Sequence, residues 1–331
     1  MKAKVLSLAV VATFSLTACG PADDPLLVYS GRTEDLVGPL LDRFTEETGI
    51  ELEVRYGESP EMAATILTEG TRSPADVFLA QDPGSLGLVS LEGLFQPLPE
   101  EMMARVDPRF ADGDGNWIPI SGRSRVVVYN GEEVDEQDLP RSLDEVVDPR
   151  WAGNVGVVPT NGSFLSFVAA MILSEGEEAT ATWLDKLAAN DPVTYPDNNS
   201  IVAAVESGEI ALGLVNHYYL LRLAAEQGGT VARNEFLDDG SAGSLVMPAG
   251  AGVLASSERS AEATKLVDFL LSEEAQSYFA DETYEYPMID EVEADPALPA
   301  LDQLQSPDLS MSELATVLDR AADLVTESGL V

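Results

Sequence analysis

The sequence predicts an α/β fold with enough chain for two lobes. Three observations predict it. From Leu26 onward, short apolar strand patterns alternate with amphipathic helical ones. Glycine- and asparagine-containing turns punctuate the junctions. About 310 residues follow the N-terminal leader, and an apolar fraction of 45% lets them bury more than one core.

The elements follow in order. Leu26-Leu27-Val28-Tyr29-Ser30 is a short apolar strand. Arg32 and Thr33 lead into a helix with Glu34 and Asp35 in its first turn, where the helix dipole favours acids. Leu36, Val37, Leu40, Leu41 and Phe44 recur on one face, and Gly49 stands at the C-cap. Ile50, Leu52, Val54 and Tyr56 alternate with polar residues as a half-buried strand does. Residues 60–69 form a second helix closed by Gly70, and 75–79 the next strand. Val126-Val127-Val128-Tyr129 and residues 154–158 are further strands. Thr160-Asn161-Gly162-Ser163 opens an apolar helix over 164–173. A short helix over 202–206 precedes a buried strand over 209–215. Ala249-Gly250-Ala251-Gly252-Val253-Leu254 has the pattern of a Gly-rich crossover strand, and helices over 261–271 and 312–325 complete the chain. There is no tandem repeat and no low-complexity segment. In α/β folds ligands bind at the carboxyl ends of strands.

The N-terminus sets the compartment. Lys2 and Lys4 form a positive n-region, and the apolar stretch from Val5 to Leu16 is too short to span a bilayer. Leu16-Thr17-Ala18-Cys19 resembles a bacterial lipobox, so residues 1–19 read as a lipoprotein signal ending at a lipidated Cys19, and 20–25 as a tether. The expected location is the cell envelope, with the chain facing the periplasm or exterior and held to the membrane by its lipid alone. Cys19 is the only cysteine, which excludes disulfides and leaves stability to the core.

With 58 acidic and 18 basic residues the net charge is −40, and loss of Lys2 and Lys4 takes it to −42. That excludes charge-driven binding to nucleic acid or anionic lipid. The acids lie along the whole chain, as on a solvated surface suited to salt, so charge names no ligand.

Asn216-His217-Tyr218-Tyr219 is the most informative stretch. Neighbouring side chains diverge on a strand or a helix, and two tyrosines converge most easily where one becomes the other. The helix N-terminus also favours phenolate, a hard oxygen donor suited to Fe(III). An amphipathic pair at a strand end is the plainer alternative. Thr160-Asn161-Gly162-Ser163 and Asn198-Asn199-Ser200, each before a helix, suit either an anion or a capping turn. The chain lacks a Walker A loop, a His-Glu-x-x-His motif and a nucleophile elbow, and His217 is its only histidine. Catalysis is not expected.

Five motifs in order carry a family resemblance: Tyr29-Ser30-Gly31-Arg32, Gly70-Thr71-Arg72-Ser73-Pro74-Ala75-Asp76-Val77-Phe78, Ser121-Gly122-Arg123-Ser124-Arg125-Val126-Val127-Val128-Tyr129, Pro159-Thr160-Asn161-Gly162-Ser163-Phe164 and Asn216-His217-Tyr218-Tyr219. The chain resembles the periplasmic ferric-ion-binding proteins of ABC iron importers from about Leu26 to its end. The resemblance implies a type II-like periplasmic binding fold with the ligand cleft between two lobes joined by crossover strands. It divides the chain into 26–123 with about 250–288, and 124–249 with about 289–331. It implies Tyr218 and Tyr219 as phenolate ligands of transported Fe(III). A synergistic anion, carbonate or phosphate, falls to Asn161, Gly162, Ser163, Asn199 and Asn216, with Arg32 and Arg123 beside the cleft. Where the family often supplies a histidine stands Thr33, followed by Glu34. Where it supplies a glutamate stands Gln81. Glu34 and Gln81 are therefore the first-lobe ligand candidates, with a role in the helix's first turn as the alternative for Glu34. The implied partners are an ABC permease and its ATPase, with the protein itself monomeric. A same-fold binder of an organic or phosphonate-like solute is the second reading; a hydrolase using His217 and a scaffold without ligand are the remaining ones.

Overall fold

The computed structural model describes residues 24–331; the leader, Cys19 and the first tether residues lie outside the described residues. Nine strands form the framework: β1 (Leu26–Ser30), β2 (Leu52–Tyr56), β3 (Val77–Ala80), β4 (Ile118–Asn130), β5 (Val155–Val157), β6 (Val193–Thr194), β7 (Leu212–Asn216), β8 (Ala232–Glu235) and β9 (Val246–Val253). Their order is β2-β1-β3-β9-β4-β7-β5-β6, with β8 also paired to β4. β1 pairs in parallel with β2 and β3, and β5 with β6 and β7. Parallel neighbours require crossover helices, which is why strand and helix alternate along the chain.

Two antiparallel strands join the halves. Ile118 to Ser124 of β4 pair with β9, and Arg125 to Tyr129 of the same strand pair with β7. β9 pairs with β3 on its other edge. All thirteen residues of β4 are buried. Two hydrophobic clusters each sit mainly in one half, one with Leu26, Val28, Leu40, Phe44, Val77 and Ala251, another with Val126, Val128, Ile201, Val205 and Val215, while a third runs across both, from Leu27, Tyr29 and Phe78 to Val127, Phe164 and Leu212. The helix Glu34–Thr48 buries Leu36, Val37, Leu40, Leu41 and Phe44, the face its spacing predicts, and Gly49 ends it at φ 71°. Full burial of each such side chain stabilises by roughly 1.5–3 kcal/mol.

Several expectations need correction. Val126–Tyr129 is the end of a far longer strand, hidden in the sequence by Pro119 and Gly122; the register slips between Pro119 and Ser121, so the bulge absorbs the proline. The strand before the tyrosines starts at Leu212, not Glu209, because the Glu209 N–H turns back to the Ala204 carbonyl. The expected helix over 312–325 is two, Glu313–Thr316 and Leu318–Glu327, since the Val317 N–H takes the tighter bond to Leu314. Helices Pro83–Leu91, Glu177–Ala189 and Glu273–Asp281 escape the sequence reading. In the last two, acids that resemble a solvated surface occupy the first turn, where the dipole favours them. Among the described residues no helix is long and apolar enough to cross a membrane.

Candidate metal centre

The site is built where β7 ends. His217 makes the turn, and the helix Tyr218–Gln227 begins at once. The corner brings the two tyrosine rings face to face, with centroids 4.2 Å apart and planes inclined by 29°. Tyr218 is buried in the cluster with Leu26 and Val77, while Tyr219 packs against that cluster and the one with Val126 and keeps partial exposure. The pair thus stands at the seam of the two halves. Both tyrosines line a cleft of about 250 Å³. Gly31, Arg32, Thr33, Glu58 and Gln81, following the carboxyl ends of β1, β2 and β3, form one wall. Residues Thr160, Asn161 and 196–199 form another.

His217 fixes the corner. The Ser124 N–H donates to Nδ1 at 3.1 Å, so Nε2 carries the hydrogen and donates to the Tyr284 carbonyl at 2.7 Å. Burial pushes the imidazole down to about 4, so it stays neutral. Its ring meets Tyr218 edge-on and lies 5.0 Å from that of Tyr286. These contacts make it an orienting side chain with no free nitrogen for base chemistry.

Three buried guanidinium groups lie beneath the tyrosines. Arg32 donates to both oxygens of Glu285, at 3.1 and 2.5 Å, and to Ser121 Oγ at 2.8 Å. Burial pushes Glu285 up, but the charge and hydrogen bonds of Arg32 outweigh it and hold the carboxyl below its ordinary value. Arg125 donates to Asn216 Oδ1 at 3.2 Å and lies over the Phe167 ring; burial takes it down to about 10. Each of the three keeps one nitrogen without a partner among the described residues, Nε of Arg32 and Arg123 and Nη2 of Arg125, and Arg123 has the longest hydrogen bond. Its Nη2 reaches Ser163 Oγ at 3.5 Å, and its Nε has no partner among the described residues. Burial, followed by the charges of Tyr219 and Glu285, raises Tyr218 well above the usual phenol value despite Arg123 and Arg32. Tyr218 is therefore a protonated phenol in the metal-free protein.

The other predicted residues fall into place around this floor. Asn161 lines the cleft and caps the helix Gly162–Glu175, accepting the Ser163 N–H at 3.0 Å. Gly162 and Ser163 lie buried behind it; a Cβ on Gly162 would stand 2.9 Å from Asp82 Oδ2, so only glycine fits. Asn216 is buried, donating to Ser163 Oγ at 3.4 Å. Asn199 lines the cleft from an exposed position. Gln81 lines it as well, whereas Glu34 is exposed and lines a separate groove with Gly38, Pro39 and Asp42. Cys19 is outside the described residues.

Sequence reasoning missed Glu285 and Glu58, gave Arg125 no role of its own, and named Asn198 only within the anion-or-cap turn Asn198-Asn199-Ser200. Asn198 is buried and donates to Tyr219 Oη at 3.4 Å. The signal for Glu285 was a lone acid between Tyr284 and Tyr286. Among the described residues no group of three or more His, Cys, Asp or Glu is placed to hold a metal.

Residues 72–310 match the family of bacterial extracellular solute-binding proteins. The chain belongs to this family. It is 34% identical to the major ferric iron-binding protein of Neisseria meningitidis serogroup B over 96% of each chain. It is 30% identical to the Fe(3+)-binding periplasmic protein of Serratia marcescens over the whole of both. The iron-bound HitA of Pseudomonas aeruginosa superposes on this solute-binding protein with a TM-score of 0.88 at 38% identity, covering 92% of this chain and 99% of the other. A Trichodesmium protein in complex with iron and citrate superposes with a TM-score of 0.78 at 25% identity, covering 92% and 99%. The two-lobe α/β architecture expected from the sequence is thereby shown.

Proposed function

We propose that this protein captures Fe(III) in the cleft and delivers it to the permease of an ABC importer, with a separate ATPase supplying the energy and no reaction catalysed. The stacked pair of Tyr218 and Tyr219 at the seam carries the reading. Its similarity to iron-binding relatives along nearly the full chain supports it. As phenolates the two oxygens are hard, anionic donors, and they leave most of the metal's shell open. Arg123, buried and under-bonded, with Asn161, Ser163, Asn199 and Asn216 around it, suits carbonate or phosphate in that shell, with Arg32 as a fixed positive neighbour. Gln81 offers a neutral oxygen from the facing wall.

The lobes are assigned to 26–123 with 250–288, and 124–249 with 289–331, and the protein acts as a lipid-tethered monomer through Cys19. Ligand bound to both lobes stabilises their closed arrangement. Titration of purified protein with ferric citrate, with and without bicarbonate or phosphate, tests the reading. A visible phenolate-to-iron band is expected to grow to one equivalent and to sharpen with the right anion. No band and no ferric-dependent rise in melting temperature sinks it, and stabilisation by organic solutes in its place favours an organic-solute binder.

A further inference from the structure

Two phenolates leave Fe(III) with one positive charge uncompensated and with open positions facing the opposite wall. Three carboxylates line the cleft: Asp35, Glu58 and Asp197. Asp35 is committed to Arg222, which donates to it at 2.6 Å. Asp197 caps the helix Asn198–Glu206, accepting from the N–H and the hydroxyl of Ser200 at 2.7 and 2.9 Å. Glu58 is the one left over. It precedes the helix Ser59–Glu69, yet its side chain caps nothing. Among the described residues the single polar contact of its side chain is a 3.5 Å approach from the Gln81 amide, and it stands exposed on the rim.

We infer that Glu58 is the anionic metal donor of the first lobe, taking the part that Gln81 cannot fill because its amide oxygen carries no charge. The inference rests on the ferric reading above. The backbone under Glu58 is fixed: the Gly57 N–H donates to the Ser30 carbonyl at 3.0 Å, and the buried Ser59 hydroxyl accepts the Gln81 N–H at 2.9 Å. Glu58 and Gln81 thus follow the carboxyl ends of β2 and β3 side by side, on the wall facing the tyrosines. A rim carboxylate with no protein cation to hold it is free to swing onto a metal held by Tyr218 and Tyr219. Its charge completes neutrality, which leaves Arg123 to an added anion.

The test titrates wild type, Glu58→Gln, Glu61→Gln and Tyr219→Phe with ferric citrate, reading affinity and the wavelength of the charge-transfer band. Glu58→Gln is expected to bind at least about tenfold more weakly and to shift the band, since the ligand field changes. Glu61→Gln removes the same charge one helical turn away and is expected to change neither by a comparable amount. Wild-type affinity and wavelength in Glu58→Gln, with colour lost in Tyr219→Phe, overturns the inference and spares the ferric reading. Equal losses in Glu58→Gln and Glu61→Gln with an unmoved band reduce Glu58 to a distant charge and overturn it as well. Colour retained in Tyr219→Phe overturns both.

Discussion

The Nε2 hydrogen of His217 is held by the Tyr284 carbonyl at 2.7 Å, across 67 residues of sequence. Tyr284 adopts φ 58°, a conformation non-glycine residues rarely take, so this bond secures a costly backbone. His217→Ala is expected to orphan both Tyr284 O and Ser124 N and to open a cavity beside Tyr218. A loss of about 2–4 kcal/mol in chemical denaturation, with weaker ferric binding, is the expected outcome.

The same histidine sets a pH dependence. Its value in the fold, about 4, lies below the ordinary 6.5, so the unfolded chain binds the proton more readily. The contribution is fully present above pH about 6.5 and is lost as pH falls toward 4, below which the loss levels off. Its ceiling is about 3 kcal/mol. Denaturation of the metal-free protein across that window is expected to show the slope, and His217→Gln to flatten it.

Tyr218→Phe and Tyr219→Phe are expected to weaken ferric binding by orders of magnitude and to bleach the visible band. Since Tyr218 sits well above its usual value, loading has to expel its proton, and affinity is expected to climb with pH. Titrations at several pH values with a pH-insensitive competitor check the direction.

Glu285→Ala leaves Arg32 charged, buried and without its carboxylate. A cost of about 3–5 kcal/mol is expected, and Arg32→Met combined with Glu285→Leu is expected to recover much of it. Thermal melts of the single and double variants measure the coupling.

Arg123→Met removes the under-bonded guanidinium. The gain in ferric affinity from bicarbonate or phosphate is expected to vanish, while anion-free binding changes far less. An undiminished anion effect would place the anion elsewhere.

Much of this was legible in the sequence because it is local. The helix face from Leu36 to Phe44 and the strand from Leu26 to Ser30 are each written within one element. The tyrosine pair was legible for the same reason: a strand-to-helix corner is a short-range event. What failed depends on distance. Arg32 and Glu285 are 253 residues apart, and nothing near either announces the other. Glu58 reads as one acid among 58 until the commitments of Asp35 and Asp197 are seen. The length of β4 was hidden because Pro119 and Gly122 look like breakers unless the bulge is known.

One strand has a further part to play. β4 exchanges β9 for β7 as its partner between Ser124 and Arg125, with a guanidinium on either side of the residue that holds His217. An anion held by Arg123 would therefore bear on the strand that both halves share. Loaded and empty protein are thus expected to differ in outline, a change that small-angle X-ray scattering would register.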